Sequence, residues 1–271
     1  MAECSEIEAG GELRTIKDAT ARNGVAANAV AIEEIIKEMA KLSPLGAKLP
    51  IVDLGTKYTA ELKADIQAGT FKKAIVGGKL TINGHVYYFA HPDYWLHTGD
   101  TECTQHHMLV IPATNIGIGK MNNTATTSGG YISADIRTGL NGNTALVTAK
   151  EQIKADFGAA NILTHRELFV NAVVDGKASS WVWADSDIDL MNEVMVYGCN
   201  VWASHPPLET AIDKCQLKLF KERPDLITTR AYWWLRSVVS AAYFALVSAT
   251  GYADTAPASN ALGVRPAFAI C

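Results

Sequence analysis

Charge is scarce in this sequence. Of 271 residues, 19% are Asp, Glu, Lys or Arg, and the net charge is -4. That is below the usual quarter, which excludes a charge-driven disordered chain. The mild acidity also argues against a nucleic-acid footprint, so no nucleic-acid partner is expected. Long apolar runs are missing as well. No stretch of 18 apolar residues occurs, and no membrane insertion is expected. The first residues, Met1-Ala2-Glu3-Cys4-Ser5-Glu6, are acidic and have no apolar leader segment, so no secretory signal is expected. Cysteine is sparse: Cys4, Cys103, Cys199, Cys215 and Cys271 are far apart, odd in number and form no C-x-x-C. A disulfide framework is therefore not expected, and synthesis in a reducing cytosol fits better. Catalytic signatures are lacking too: there is no G-x-S-x-G, H-E-x-x-H or Walker loop. No catalytic residue and no cofactor is expected.

What is present begins with an amphipathic stretch at 24–42. Val25, Ala29, Ile32, Ile36 and Met39 follow 4-3-4-3 spacing, with charged residues mostly elsewhere around the helix. Such a helix either packs on its own domain or pairs with copies of itself. Ser43-Pro44-Leu45-Gly46 ends it and marks a boundary, dividing a helical attachment or oligomerisation segment at 1–45 from a domain at 46–271.

Beyond the boundary the elements are short and mixed. Residues 49–52, 79–82, 85–89 and 107–111 read as strands, with Asn83-Gly84 as a hairpin turn. Residues 60–71 read as a helix. Residues 113–143 form a long polar, glycine-spotted loop, functional or packed on itself. Thr144 is placed to cap a helix at 145–157 whose stripe is Leu146, Ala149, Ile153 and Phe157. Residues 162–170 fit a strand or a helix. Residues 180–183 read as a strand, 187–197 as a helix, and 208–220 as a helix ended by Arg223-Pro224. The order indicates α+β.

Two polar clusters invite a metal. Asp100, Glu102, Cys103, His106 and His107 lie together, with His85, His91 and His97 nearby. Zinc ligands must converge, and adjacent histidines on a strand face opposite ways. We read these as hydrogen-bonded structural histidines, and no metal is expected. Asp185, Asp187 and Asp189 lack the glycine and distant glutamate of a calcium loop, so they read as a solvated helix start.

The C-terminal stretch carries most information. Two apolar blocks, Tyr232-Trp233-Trp234-Leu235-Arg236-Ser237 and Gly263-Val264-Arg265-Pro266-Ala267-Phe268-Ala269-Ile270, look like buried strands. Arg236 and Arg265 then need acidic or carbonyl partners. Between them, 237–262 holds no Lys, Glu, Gln, Met or Trp and one charge, Asp254. About four or five of the missing types would be ordinary. One explanation is a sheet of small residues. Another is mutagenesis: an Asn codon altered at its adenines can give Ala, Asp, Leu, Pro, Ser, Thr, Tyr or Val, and never the five absent types.

The frame W-W-L-R-S … G-V-R-P-A-F, with Tyr94-Trp95-Leu96-His97-Thr98-Gly99-Asp100 and His106-His107, resembles the variable proteins of diversity-generating retroelements of gut bacterial or prophage type. The resemblance spans about 46–271, with the variable region at about 232–271. It implies a C-type-lectin-like fold, related in architecture to formylglycine-generating enzymes. It implies a non-catalytic protein that binds a ligand or receptor through a hypervariable solvent-facing surface. A phage tail-fibre tip is the expected setting, recognising a protein or glycan receptor on a bacterial cell surface, with a homotrimer adding avidity. The virion tail tip is then the location, after synthesis in the bacterial cytoplasm. A bacterial surface-displayed binding protein and a formylglycine-generating-type enzyme are the alternatives. The positions carried over are Val238, Val239, Ala242, Tyr243, Leu246, Ser248, Thr250, Tyr252, Asp254, Thr255, Ala256, Pro257 and Leu262. Ser248, Thr250, Tyr252 and Asp254 alternate as on one strand face. Phe244 and Val247 would then face inward, and the tyrosines would anchor a ligand. The calcium signatures of sugar-binding lectins and the paired cysteines of the enzymes are absent, so neither calcium-dependent sugar binding nor that enzyme activity is carried over.

Overall fold

A computed structural model describes residues 48–206 and 215–271, together with the backbone of a two-stranded hairpin, β1 (Glu6–Ala9) and β2 (Glu12–Thr15). The expected helix at 24–42 lies outside the described residues, as does most of the one at 208–220. The chain divides into two compact units, Met1–Lys48 and Leu49–Cys271.

The second unit is α+β, built on two sheets. The larger runs β10 (Ile188–Leu190), β15 (Pro266–Ile270), β6 (Met108–Pro112), β5 (His85–Pro92), β4 (Gly78–Ile82), β3 (Val52–Asp53). The smaller runs β13 (Ala253–Pro257), β12 (Tyr243–Val247), β11 (Trp233–Val238), β14 (Ala261–Gly263), β7 (Ile118–Lys120). A long hairpin, β8 (His165–Val174) and β9 (Lys177–Ser186), stands apart from both sheets. The helices are α1 (Ala60–Gln67), α2 (Asp135–Thr138), α3 (Ala145–Phe157), α4 (Glu193–Tyr197) and α5 (Lys218–Glu222).

Three apolar clusters explain why the central strands are hydrophobic on both faces. Leu109, Ile111, Ala267 and Ala269 from the larger sheet meet Trp233, Leu235, Ala245 and Val247 from the smaller. The alternate residues Met108, Val110, Phe268 and Ile270 meet Ile153 and Phe157 of α3 and Leu62 and Ile66 of α1. On the far side of the smaller sheet, Trp234, Val238, Phe244 and Leu246 meet Tyr131, Phe169 and the start of α3. Buried on both faces, these strands read as continuous apolar runs rather than alternating ones.

Several elements match the sequence reading. Asn83 and Gly84 both take positive φ, 51° and 83°, as a type I′ turn requires. Helix α3 spans 145–157 with the expected buried stripe. Residues 165–174 take the strand alternative.

Other elements differ. Thr144 makes no side-chain cap bond, because its ψ of 6° is not the extended cap conformation. Residues 187–197 hold β10 and the short α4 instead of one helix. The aspartates there are not a solvated helix start. Asp189 is buried and accepts from Tyr131, Arg137 and Ser186, while Asp187 pairs with Lys150 and Lys154. The 113–143 loop is fastened by its own amides. Asn122 accepts from Asp135 N–H and donates to Thr126, and the Asn143 side chain bonds both the N–H and the carbonyl of Lys120.

Candidate functional site

The expected ligand-facing positions fall on β11, the loop 239–242, β12, the turn 248–252, β13 and β14. The loop is held from outside. Thr127 donates its hydroxyl to Ser240 O at 2.6 Å and its N–H to Ala241 O at 2.9 Å. The turn is held similarly. Thr228 Oγ1 donates to Ala249 O at 2.6 Å, and Tyr197 of α4 donates to Gly251 O at 3.1 Å. Gly251, at φ 91°, lets the chain reverse there. Both segments are therefore fixed scaffolds for whatever side chains they carry.

Exposure divides the thirteen positions. Val239, Ala242, Tyr243, Thr250, Tyr252, Asp254, Thr255, Pro257 and Leu262 are exposed or half-buried, with Tyr252 76% and Tyr243 39% exposed. Val238, Leu246, Ser248 and Ala256 are buried, and this corrects the expectation that they face solvent. Val238, Leu246 and Ala256 face the cluster of Trp234 and Phe244. Ser248 is enclosed because its hydroxyl closes the turn, accepting from Tyr252 N–H at 3.0 Å and bonding Thr250 Oγ1 at 3.1 Å. The alternation of 248, 250, 252 and 254 is likewise not one strand face, since a turn separates β12 from β13. Phe244 and Val247 are fully buried, as expected of scaffold.

Beneath this region lies a charged core that the sequence reading did not single out. Glu167 of β8 is buried and pairs with Arg236 of β11, which also donates to Leu190 O. Trp95 donates its indole N–H to Glu167 at 3.4 Å and stacks on His165 at 3.8 Å between ring centres. Burial pushes the Glu167 carboxyl up, but Arg236 and His165 outweigh it and hold it well below the ordinary range. The available signal was an acid at the head of the apolar run 168–170. Arg265 meets the other expectation, donating to the carbonyls of Pro112, Leu226 and Ile227 between Trp233 and Phe220. Burial lowers its guanidinium to about 9.

A cleft opens between the β8–β9 hairpin, β11 and the loop 200–206. Trp181, Tyr131, Asn200, Ser204 and Ser237 line it. Beside it, Trp202 is 52% exposed, its N–H held at 3.0 Å by the buried Glu193 carboxylate. Burial raises that carboxyl despite its backbone donors.

The histidines do not converge. His106 Nδ1 lies 2.8 Å from Asp93, and His97 Nδ1 2.5 Å from Glu102. His107, fully buried, accepts from Trp95 N–H and bonds Gln105 O, and burial lowers it to about 4. His85 turns to Asp156 and His91 to Lys218 N–H. Among the described residues, no three His, Cys, Asp or Glu side chains form a group able to hold a metal. Cys103 and Cys271 are buried, and Cys199 and Cys215 are exposed.

Residues 105–271, more than half of the chain, match the family described as a domain of unknown function, DUF6273. The chain belongs to the DUF6273 family. The DUF6273 match contains every element from β6 onward, including both arginines and all thirteen surface candidates. Strands β3 to β5 and helix α1, which complete the larger sheet, precede it. No curated protein and no solved structure matches the chain. Among the described residues, no helix is long and apolar enough to cross a membrane.

Proposed function

We propose that this DUF6273 protein is a non-catalytic binding protein with a C-type-lectin-like fold, whose loops and edge strand between 239 and 262 form a diversified ligand surface. Its setting is receptor recognition by a phage tail-fibre tip, as a retroelement-diversified variable protein. The observation that carries this reading is the segregation of side chains within one short segment. Trp233, Trp234, Phe244 and Val247 are sealed in the core, while Tyr243, Thr250, Tyr252 and Asp254 stand out from a backbone pinned by Thr127, Thr228 and Tyr197. A surface meant to vary needs that independence of fold from side chain. Tyr243 and Tyr252 supply broad contact area at low entropy cost.

The test is a display library with the nine exposed or half-buried positions randomised through adenine-altered Asn codons. Surface changes shift stability by about 0.5 kcal/mol or less, so most members should fold, and selection on bacterial surfaces should recover binders. A library that mostly fails to fold, or folds and yields no binders, contradicts the reading.

A further inference from the structure

A second site, lined by none of those surface positions, lies at the start of β5 where the loop 113–117 leaves β6. A groove of about 420 Å³ opens there, lined among others by His85, Tyr87, Tyr88, Asn115 and Gln152. Its hydrogen-bond roles follow from donor accounting. The Asp156 carboxylate is buried and meets three groups: Asn83 Nδ2 at 2.8 Å, His85 Nδ1 at 2.7 Å and Tyr87 Oη at 2.6 Å. Burial and the neighbouring Asp156 push the Tyr87 phenol up, so it stays a donor.

A carboxylate can only accept, so His85 Nδ1 carries the proton. In the neutral ring, His85 Nε2 is then a lone-pair acceptor on a half-exposed side chain. Tyr87 has one proton and gives it to Asp156. Gln152, 3.2 Å from the same oxygen, must donate through Nε2, which leaves Oε1 as an acceptor. Asn115 Nδ2 donates to Tyr232 O, and Asn115 Oδ1 is buried without a hydrogen-bond partner. The groove therefore carries three side-chain acceptors backed by one buried negative charge. Its wall includes the half-buried Tyr88 ring, a face suited to a cation. Lys79 and Arg223 are already paired with Asp53 and Asp225, at 2.7 and 2.8 Å.

We propose that this groove binds a small organic cation rich in N–H donors, a guanidinium or primary ammonium, through His85 Nε2, Gln152 Oε1 and Asn115 Oδ1. The group is either a free amine or a basic side chain of a peptide.

The experiment titrates the full chain with agmatine, with an end-capped Gly-Arg-Gly peptide and with erythritol, reading the His85 ring resonances by NMR and, for parent and variant alike, the binding isotherm by calorimetry. The expected result is a saturable shift with agmatine and none with erythritol. A shift with the peptide as well assigns the group to a peptide side chain, and none assigns it to a free amine. The H85Q/Q152L double variant should bind at least tenfold more weakly while its thermal midpoint stays near that of the parent. Absence of any shift, erythritol binding as well as agmatine, or undiminished binding by a folded double variant would overturn the proposal.

Discussion

His107 places a titratable ring in the core, where burial outweighs the Gln105 carbonyl and the Asp93 carboxylate that favour its charge. Its folded value of about 4 lies below the ordinary 6.5 because burial disfavours the cation. The unfolded chain therefore binds a proton that the folded chain refuses between those values. Stability is full above about pH 6.5 and falls as pH drops toward 4, by about 3 kcal/mol in all. Urea unfolding at pH 7 and pH 4.5 should show this slope, and His107→Gln should flatten it. Glu167 acts lower on the scale. Its contribution persists until strongly acid pH, because its folded value is depressed. Arg236→Met should destabilise by about 3–5 kcal/mol, leaving the buried Glu167 carboxylate without its cation partner and with only Trp95 and His165 beside it, and adding Glu167→Met should recover part of that loss. Thermal midpoints of the two variants read the difference. At this scale the sequence was half legible. A buried arginine announces its need for a partner, as Arg236 and Arg265 do, but not which one. Glu167 lies 69 residues from Arg236, and only the fold brings them together.

Strand β13 is the open edge of the smaller sheet. Ser248 N–H bonds Tyr252 O and Ala258 N–H bonds Ala242 O, so the even-numbered residues of β13 pair with β12 and the odd-numbered ones face outward. Of those, Thr255 N–H is occupied by Asp254 Oδ1 at 2.8 Å, and Pro257 has no N–H at all. The edge is blunted against strand addition. The Asp254→Ala/Pro257→Thr double variant should therefore self-associate with rising concentration, seen as a mass increase by light scattering, while the parent keeps a constant mass. The opposite edge, β7, is covered by the Asn143 amide, and Asn143→Ala should cost about 1–3 kcal/mol by unsatisfying Lys120. Legibility at this scale followed periodicity. Helix α3 has one apolar stripe and a glycine after it, so its limits could be read. The 187–197 segment is buried almost throughout, Asp189, Asn192 and Glu193 included, so its polar residues mark no outer face and carry no period to separate β10 from α4.

Across the whole second unit, two sheets and three apolar clusters hold a segment whose outer residues carry little of the fold. Low charge reflects this organisation. Strands buried on both faces have no room for charge, and 237–262 has one charge because part of it is core and part of it is surface written in small residues. The α+β class was legible from the element order. The burial of Val238, Leu246, Ser248 and Ala256 was not, because residues of the same size sit in the core and at its rim.

 Ala256 in particular differs from the half-buried Ala242 only in where the hairpin puts it.

The central claim is that the exposed positions between 239 and 262 were written by diversification rather than by ordinary drift. Sequencing the DNA that flanks the gene tests it most directly. The account predicts a reverse-transcriptase gene and a near-identical template repeat of the segment, with Asn codons at Tyr243, Thr250, Tyr252 and Asp254 and unaltered codons at Trp233, Trp234 and Phe244. Flanking DNA with neither the gene nor the repeat, or a repeat whose adenines fall on the buried scaffold positions, would contradict it.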